Sequence, residues 1–249
     1  MTHFSWIQLL SGPVEALQDG FGITHEDAIA AVTTWMISLV LVGLALLARR
    51  GLNQAREVGG TLQYVPSHKA SVANVFEIYT QSIFNLAESV LGKKDARTYY
   101  WLIGGLFIYI LFGNLLSVVP GFLPPTDNIS NNFAMAIVVF LTFNIAGLWV
   151  NGLNYVKHLM GPVLLLAPLM LPIELIGLLV RPVSLSIRLA GNIFGDHTVF
   201  NIMSDLVPGW VPLPTVFLAL GMFVAVIQAF VFTLLTTAYI GLSVAHEEH

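Results

Sequence analysis

The sequence has no cysteine and very little charge. Only 10% of its 249 residues are charged, against about 25% in a typical soluble domain, and mean hydropathy is +0.80. Without cysteine there is no disulfide, no thiolate metal site and no cysteine nucleophile. The net charge of −4 argues against nucleic-acid binding. The composition therefore predicts a mostly helical integral membrane protein, and no cofactor or metal is expected.

Five apolar stretches are long enough to cross the membrane as helices, which takes about 20 residues. They cover 28–48, 98–119, 133–153, 173–203 and 215–245. The last two reach about 46 Å as helices against a hydrocarbon core of about 30 Å, so we expect a long, strongly tilted hairpin. Residues 71–91 alternate apolar and polar positions at helical spacing. They predict an amphipathic helix, either lying in the membrane interface or packed on another subunit. The expected fold class is an all-α membrane protein with a single membrane domain.

The basic residues lie on one side of this arrangement. Of the ten Lys and Arg residues, all but Arg181 and Arg188 fall in segments on one side of the membrane. Segments 1–27, 121–132 and 204–214, on the other side, contain none. Because positively charged segments stay in the cytoplasm, we expect the N terminus outside and the C terminus inside. A bacterial inner membrane is the expected location.

Arg188 is a permanent cation within an apolar stretch. Insertion scales put the cost of such a residue at the bilayer centre at about 2.5–3.5 kcal/mol. A chain keeps it there for a partner, a water path or an ion path. The alternative, a helix-end arginine that snorkels to the headgroups, is disfavoured because apolar sequence continues on both sides.

Arg188 belongs to a row of polar residues at helical spacing. Glu174, Arg181 and Arg188 are seven residues apart, and Asn192 and Asp196 follow at steps of four. On one helix the five share an arc of roughly 80° along about 33 Å. Such a row across a membrane indicates an ion pathway, but its central arginines repel cations. We therefore expect two partial aqueous pathways separated by a fixed charge, with a carboxylic acid on a moving partner carrying the proton between them.

Neutral polar residues also lie within the second and third spans. Asn114, Ser117 and Asn144 are expected to form hydrogen bonds between helices rather than a site.

The last third of the chain contains the stretches PIELIGLLVRPV, SLSIRLAGNIFGDH and QAFVFTLLTTAYI and the ending EEH. They resemble subunit a of the F-type ATP synthase. The resemblance implies a stator that forms two offset proton half-channels against a rotating ring of c subunits, which couples proton translocation to rotation and ATP synthesis. It implies the peripheral-stalk subunit b and other F0 and F1 subunits as further partners. ATP chemistry lies elsewhere in such a complex, and the chain has no phosphate-binding glycine loop.

The resemblance also assigns roles to residues. Arg188 matches the essential arginine that faces the ring carboxylate and blocks proton leak. Asn192 matches the channel asparagine, Glu174 the acidic residue of the inner half-channel, and Gln228 the glutamine on the return limb. Arg181 holds a position that is basic in relatives.

One part of the outer half-channel departs from the family. His197 stands where some relatives carry glutamate. Others have histidine there together with a carboxylate at the position of Gly221, and glycine cannot complete that exchange. Asp196 or water is the expected replacement, so protons are expected to pass Asp196, His197 and Asn192 on the outer side.

Two other functions are compatible with a row of polar residues in a membrane helix. A secondary ion-coupled transporter would use the polar row as a substrate site, but such proteins usually show inverted repeats and none is visible. A purely structural membrane anchor would tolerate replacement of every charge in the row.

Overall fold

The computed structural model describes residues 11–57, 71–116, 122, 124–152, 155, 167–206 and 213–245. Within these residues the chain forms helices and no strand. The helices are α1 (Ser11–Phe21), α2 (His25–Glu57), α3 (Val72–Leu115), α4 (Ile129–Asn151), α5 (Ala167–Leu206) and α6 (Leu213–Val244), with a 3-10 turn at Pro125–Asp127.

Five of these helices, α2 to α6, are long and apolar enough to cross a membrane. The predicted fold class, an all-α integral membrane protein, is confirmed. The helix bounds do not coincide with those of the predicted spans, and three differences stand out. Helix α1 lies in a segment for which no helix was predicted, α2 continues beyond Arg49 and Arg50, and α5 begins at Ala167 rather than at residue 173.

Helix α3 contains a kink at Gly92, where φ is 76° and ψ is 164°. This backbone conformation is essentially restricted to glycine. The kink separates the stretch predicted to be amphipathic, 71–91, from the second predicted span. The interfacial position of the first stretch stays a prediction, and residues 117–119 of the span lie outside the described residues.

The core lies among α3, α4, α5 and α6. Helix α3 packs mainly against α6, and α4 packs against α5 and α6, while α2 covers α3. The largest fully buried apolar side chains are Phe143, Phe232, Ile103, Ile110, Leu185, Leu189, Ile240 and Val139. On α5, Leu178, Leu185, Leu189 and Ile193 are buried at steps of seven and four. One face of α5 is therefore held against the bundle, which fixes where its polar residues lie.

The N-terminal ends of α2 and α4 are joined by a side-chain cap. Asn128 is the N-cap of α4, and its Oδ1 accepts hydrogen bonds from the backbone N–H groups of Ser130 and Asn131. Its Nδ2 donates to Asp27 Oδ1 at 2.8 Å. An N-cap typically contributes about 1 kcal/mol. Here it also fixes the 3-10 turn that precedes α4, and this turn reaches the candidate site.

Candidate functional site

Arg188 lies on the exposed side of α5, away from the buried face. Its neighbour Ile187 is 57% exposed, and Phe194, two turns further on, is 69% exposed. The apolar part of this helix runs from Pro168 to Phe200, so Arg188 is far from either end. No hydrogen bond or ion pair of Arg188 is found among the described residues. This position does not fit a snorkelling helix-end residue, and the guanidinium is available to a group outside the chain.

One turn after Arg188, the polar row connects α5 to α6. Asn192 Nδ2 donates a hydrogen bond to Gln228 Oε1 at 2.6 Å, and Gln228 is only 4% exposed. Gln228 Nε2 has no hydrogen-bond partner in the described part of the chain. A buried donor in this situation is usually satisfied by water.

A small pocket lies beside this pair. Asn114 from α3, Asn192 and Asp196 from α5, and Gln228 from α6 supply its polar wall. The apolar wall consists of Ile193, Gly221, Val224 and Ala225. Its volume is about 20 Å³, which is room for about one water molecule with several polar partners. The structure thus brings together three of the predicted residues, Asn192, Asp196 and Gln228.

Asp196 faces the position at which Gly221 lacks a side chain. A Cβ built on Gly221 would lie 3.9 Å from Asp196 Oδ2, a normal van der Waals distance. The carboxylate therefore comes from α5, beside a glycine of α6. The side chain of His197 lies outside the described part of the structure, although its backbone continues α5.

Asn114 is a pocket residue that sequence reasoning missed. It was expected only to connect helices, and it does accept a hydrogen bond from Thr126 Oγ1 at 2.7 Å. Thr126 is fully buried in the 3-10 turn, and its carbonyl accepts from Asn132 Nδ2 at 2.6 Å. The signal available in the sequence was a second asparagine in an apolar span. Its distance from Asn192 became known only from the packing of α3 on α6.

Arg181, seven residues before Arg188, is held between aromatic rings. Its guanidinium carbon lies 5.7 Å from the ring centroid of Phe143 on α4 and 5.3 Å from that of Tyr239 on α6. Both distances are typical of cation–π contacts. Glu174 is half-buried in the first part of α5. The structure therefore places these two residues apart from the pocket, toward the other end of the helix.

The described residues hold no group of three or more His, Asp or Glu side chains that could bind a metal ion. The arrangement consists of a polar pocket on one side of Arg188, a second polar region near Glu174 and Arg181 on the other, and an exposed cation between them. A fixed positive charge between two polar regions opposes the passage of cations from one region to the other.

Residues 31–241 match the protein family described as ATP synthase A chain. The chain belongs to this family. It is 39% identical to ATP synthase subunit a of Bdellovibrio bacteriovorus over 245 residues, which cover 98% of this chain and 99% of that protein. It is 44% identical to ATP synthase subunit a 1 of Syntrophotalea carbinolica over 219 residues, covering 88% and 87%. With ATP synthase subunit a of Trichlorobacter lovleyi it shares 40% identity over 235 residues, 94% of each chain.

Membership of the ATP synthase A chain family confirms the resemblance predicted from the sequence motifs. The chain is a membrane subunit of an F0/F1 complex, and the alternative of a secondary transporter is set aside. The match to the family includes every residue predicted for the proton pathway, from Glu174 to Gln228.

Proposed function

We propose that the chain is the stationary half of a rotary proton path, with two offset half-channels that open against a rotating ring of c subunits. The observation that carries this proposal is Arg188, an exposed cation on an apolar helix with no partner in the described residues. A cation in such surroundings is stabilised by an anion opposite it. A carboxylate on the ring supplies that anion each time an ionised site returns.

The outer half-channel is proposed to pass the pocket. Protons reach the ring carboxylate past Asp196, His197 and Asn192, with Gln228 holding the amide of Asn192 in place. The neutralised site then moves through lipid, because a protonated carboxyl is far cheaper there than an ionised one.

The inner half-channel is proposed to pass Glu174, with Arg181 as a supporting cation. A proton released from the ring on this side cannot return directly to the outer pocket, since Arg188 lies between the two regions. The membrane potential contributes about 2.3 kcal/mol per charge per 100 mV to this movement.

The surface proposed to face the ring is formed by exposed apolar residues of α5 and α6 around Arg188. They are Val183, Ile187, Phe194, Phe223, Ile227 and Phe230. We call these six residues the ring-facing surface. Because both the chain and the ring are surrounded by lipid, burial of apolar surface adds little to their association. We expect close packing of side chains to determine how the two surfaces fit together.

We also propose the orientation of the chain in the membrane, its location and its further partners. The N terminus lies outside and the C terminus in the cytoplasm of a bacterial inner membrane, as the distribution of basic residues favours. The peripheral-stalk subunit b and other F0 and F1 subunits are its further partners, and ATP is made elsewhere in the complex.

Replacement of Arg188 tests the proposal. Arg188→Ala is expected to abolish proton-coupled ATP synthesis and ATP-driven proton pumping in membrane vesicles, while the complex still assembles. Arg97→Ala is the matched control, because Arg97 is also exposed but lies in α3, outside the proposed path. Normal synthesis in the Arg188 variant, with the variant chain present in purified complexes, would contradict the proposed mechanism.

A further inference from the structure

Tyr155 folds back along the helix that precedes it. Helix α4 ends at Asn151, and the φ of +54° at the following Gly152 turns the chain out of the helix. The hydroxyl of Tyr155 then donates a hydrogen bond to Asn144 Oδ1 at 3.0 Å, eleven residues earlier in the sequence. Asn144 is itself fixed, because its Nδ2 donates to the carbonyl of Phe140 at 2.7 Å. The turn thus places a phenol beside the membrane-spanning part of α4.

A glycine makes room for the ring of Tyr155. A Cβ built on Gly147 would lie 2.5 Å from Tyr155 Cε2 and 2.8 Å from Cδ2. Such distances require the ring to move. The phenol is therefore held at two points, by the recess at Gly147 and by the amide of Asn144, which is a stronger constraint than a loop tyrosine usually has.

The fixed phenol lies in the polar region of Glu174 and Arg181. Phe143, the neighbour of Asn144 on α4, carries the guanidinium of Arg181 over its ring. Burial is the main cause that raises the pKa of Tyr155. The positive charge of Arg181 opposes this rise, and the negative charge of Glu174 adds to it. The phenol is thus neutral at physiological pH and within the fields of both charges.

The direction of its hydrogen bond limits what Tyr155 can do. A tyrosine hydroxyl has one donor hydrogen and acceptor lone pairs. Because the hydroxyl hydrogen is donated to Asn144, the oxygen of Tyr155 can only accept hydrogen bonds from groups in the region of Glu174 and Arg181. An acceptor there orders water molecules with their hydrogens toward it.

On the basis of the proposed function, we infer that Tyr155 is a positioning residue of the inner half-channel, which orders the water between Glu174 and Arg181 through its anchored hydroxyl. It does not take up the proton itself. Asn144 anchors the hydroxyl of Tyr155, and Gly147 leaves the space that its ring occupies.

Tyr155→Phe tests the inference, because it removes the hydroxyl and keeps the ring in its recess. ATP-driven proton pumping is expected to fall about two- to tenfold, the effect of one hydrogen bond. The dependence of the rate on inner pH should shift, whereas the dependence on outer pH should not. ATP hydrolysis by the detached F1 sector should be unchanged. An unchanged pumping rate with an unchanged inner-pH profile would overturn the inference.

Two glycine variants form a matched pair. Gly147→Ala should reproduce the defect with the hydroxyl still present, since it displaces the ring. Gly105→Ala, in α3, should behave like wild type because a Cβ there has nothing within 4 Å. Equal behaviour of the two variants would contradict the role of the recess.

A labelling experiment covers the case in which Tyr155→Phe does not assemble. The natural chain has no cysteine, so Asn144→Cys provides a single thiol. In inside-out vesicles stripped of F1, a small membrane-impermeant thiol reagent should modify it and reduce proton conductance, and a lack of reaction would overturn the inference. Arg188→Ala distinguishes failure of this inference from failure of the proposed function. If Arg188→Ala pumps normally, the proposed function fails. If Arg188→Ala is defective while the variants of Tyr155, Asn144 and Gly147 pump normally, only the role of Tyr155 fails.

Discussion

At the scale of single residues, the carboxylate of Asp196 lies over the bare backbone of Gly221. The distance of 3.9 Å from Asp196 Oδ2 to a Cβ built on Gly221 means that a methyl group fits there without displacement. The two positions therefore contribute differently. Asp196 supplies the carboxyl group of the pocket, and Gly221 supplies only the space beside it.

This difference gives a prediction for the outer half-channel. Asp196→Asn keeps the shape of the side chain but removes its acidic group, and we expect ATP-driven pumping to fall by about tenfold or more, since positioned acids and bases often contribute about 10²–10⁴-fold to proton transfer. Gly221→Ala should pump nearly as well as wild type. Pumping by both variants, measured at several outer pH values in vesicles with matched amounts of complex, checks the expectation. Equal rates for Asp196→Asn and wild type would move the outer path to other residues.

The residues of the polar row could be predicted from sequence because they lie on one helix, where spacing alone fixes which share a face. Asn114 and Tyr155 could not. Asn114 reaches the pocket only because α3 packs on α6, and Tyr155 meets Asn144 only because the chain reverses at Gly152. Periodicity carries no information about contacts between helices or across a turn.

At the scale of secondary-structure elements, the spans were predictable from length and apolar composition, but the helix ends were not. Arg49 and Arg50 are expected to end the first span, and the apolar part of α2 does end at Gly51. The helix itself continues to Glu57, because long basic side chains can reach the headgroups without ending a helix. Helix α5 begins before the predicted position. Pro168 is its second residue, where the missing N–H has no intrahelical partner to lose.

Gly92 offers a prediction at this scale. Its conformation, φ 76° and ψ 164°, costs a residue with a side chain about 1–3 kcal/mol. Gly92→Ala is therefore expected to lower the thermal stability of the purified complex or to reduce its yield. The added methyl meets no neighbour within 4 Å, so the effect comes from the backbone alone.

Gly105→Ala is the control for this prediction as well as for the recess at Gly147. It lies in the same helix, has no neighbour within 4 Å of its Cβ, and has no positive φ. Alanine is favoured over glycine in a helix by about 1 kcal/mol, so this variant should be as stable as wild type or slightly more so. If Gly92→Ala were equally stable, the kink would not depend on glycine.

At the scale of the whole molecule, the chain has two kinds of surface on α5. The buried face holds the bundle together through Leu185, Leu189 and Ile193. The exposed side carries Arg188 beside apolar residues such as Ile187, which is an incomplete environment for a cation within a membrane. In the proposed mechanism, the polar pocket and the region of Glu174 and Arg181 are the two ends of the path, and the ring carboxylate connects them past Arg188.

Contact between the ring-facing surface and the ring can be tested by disulfide crosslinking, because the natural chain contains no cysteine that would compete. Ile187→Cys, beside Arg188, is expected to form a disulfide under mild oxidation with a cysteine placed next to the carboxylate of a c subunit. Leu39→Cys is the control, because Leu39 is similarly exposed at 69% against 57% but lies on α2, which packs chiefly against α3. A disulfide requires the two Cα atoms to come within about 7 Å, so its formation reports direct contact. Crosslinking should lock rotation and stop ATP-driven pumping until the disulfide is reduced. If Leu39→Cys crosslinked to the ring as readily as Ile187→Cys, or if neither did so in assembled complexes, the ring would not pass this side of α5 and the role proposed for Arg188 would lose its partner.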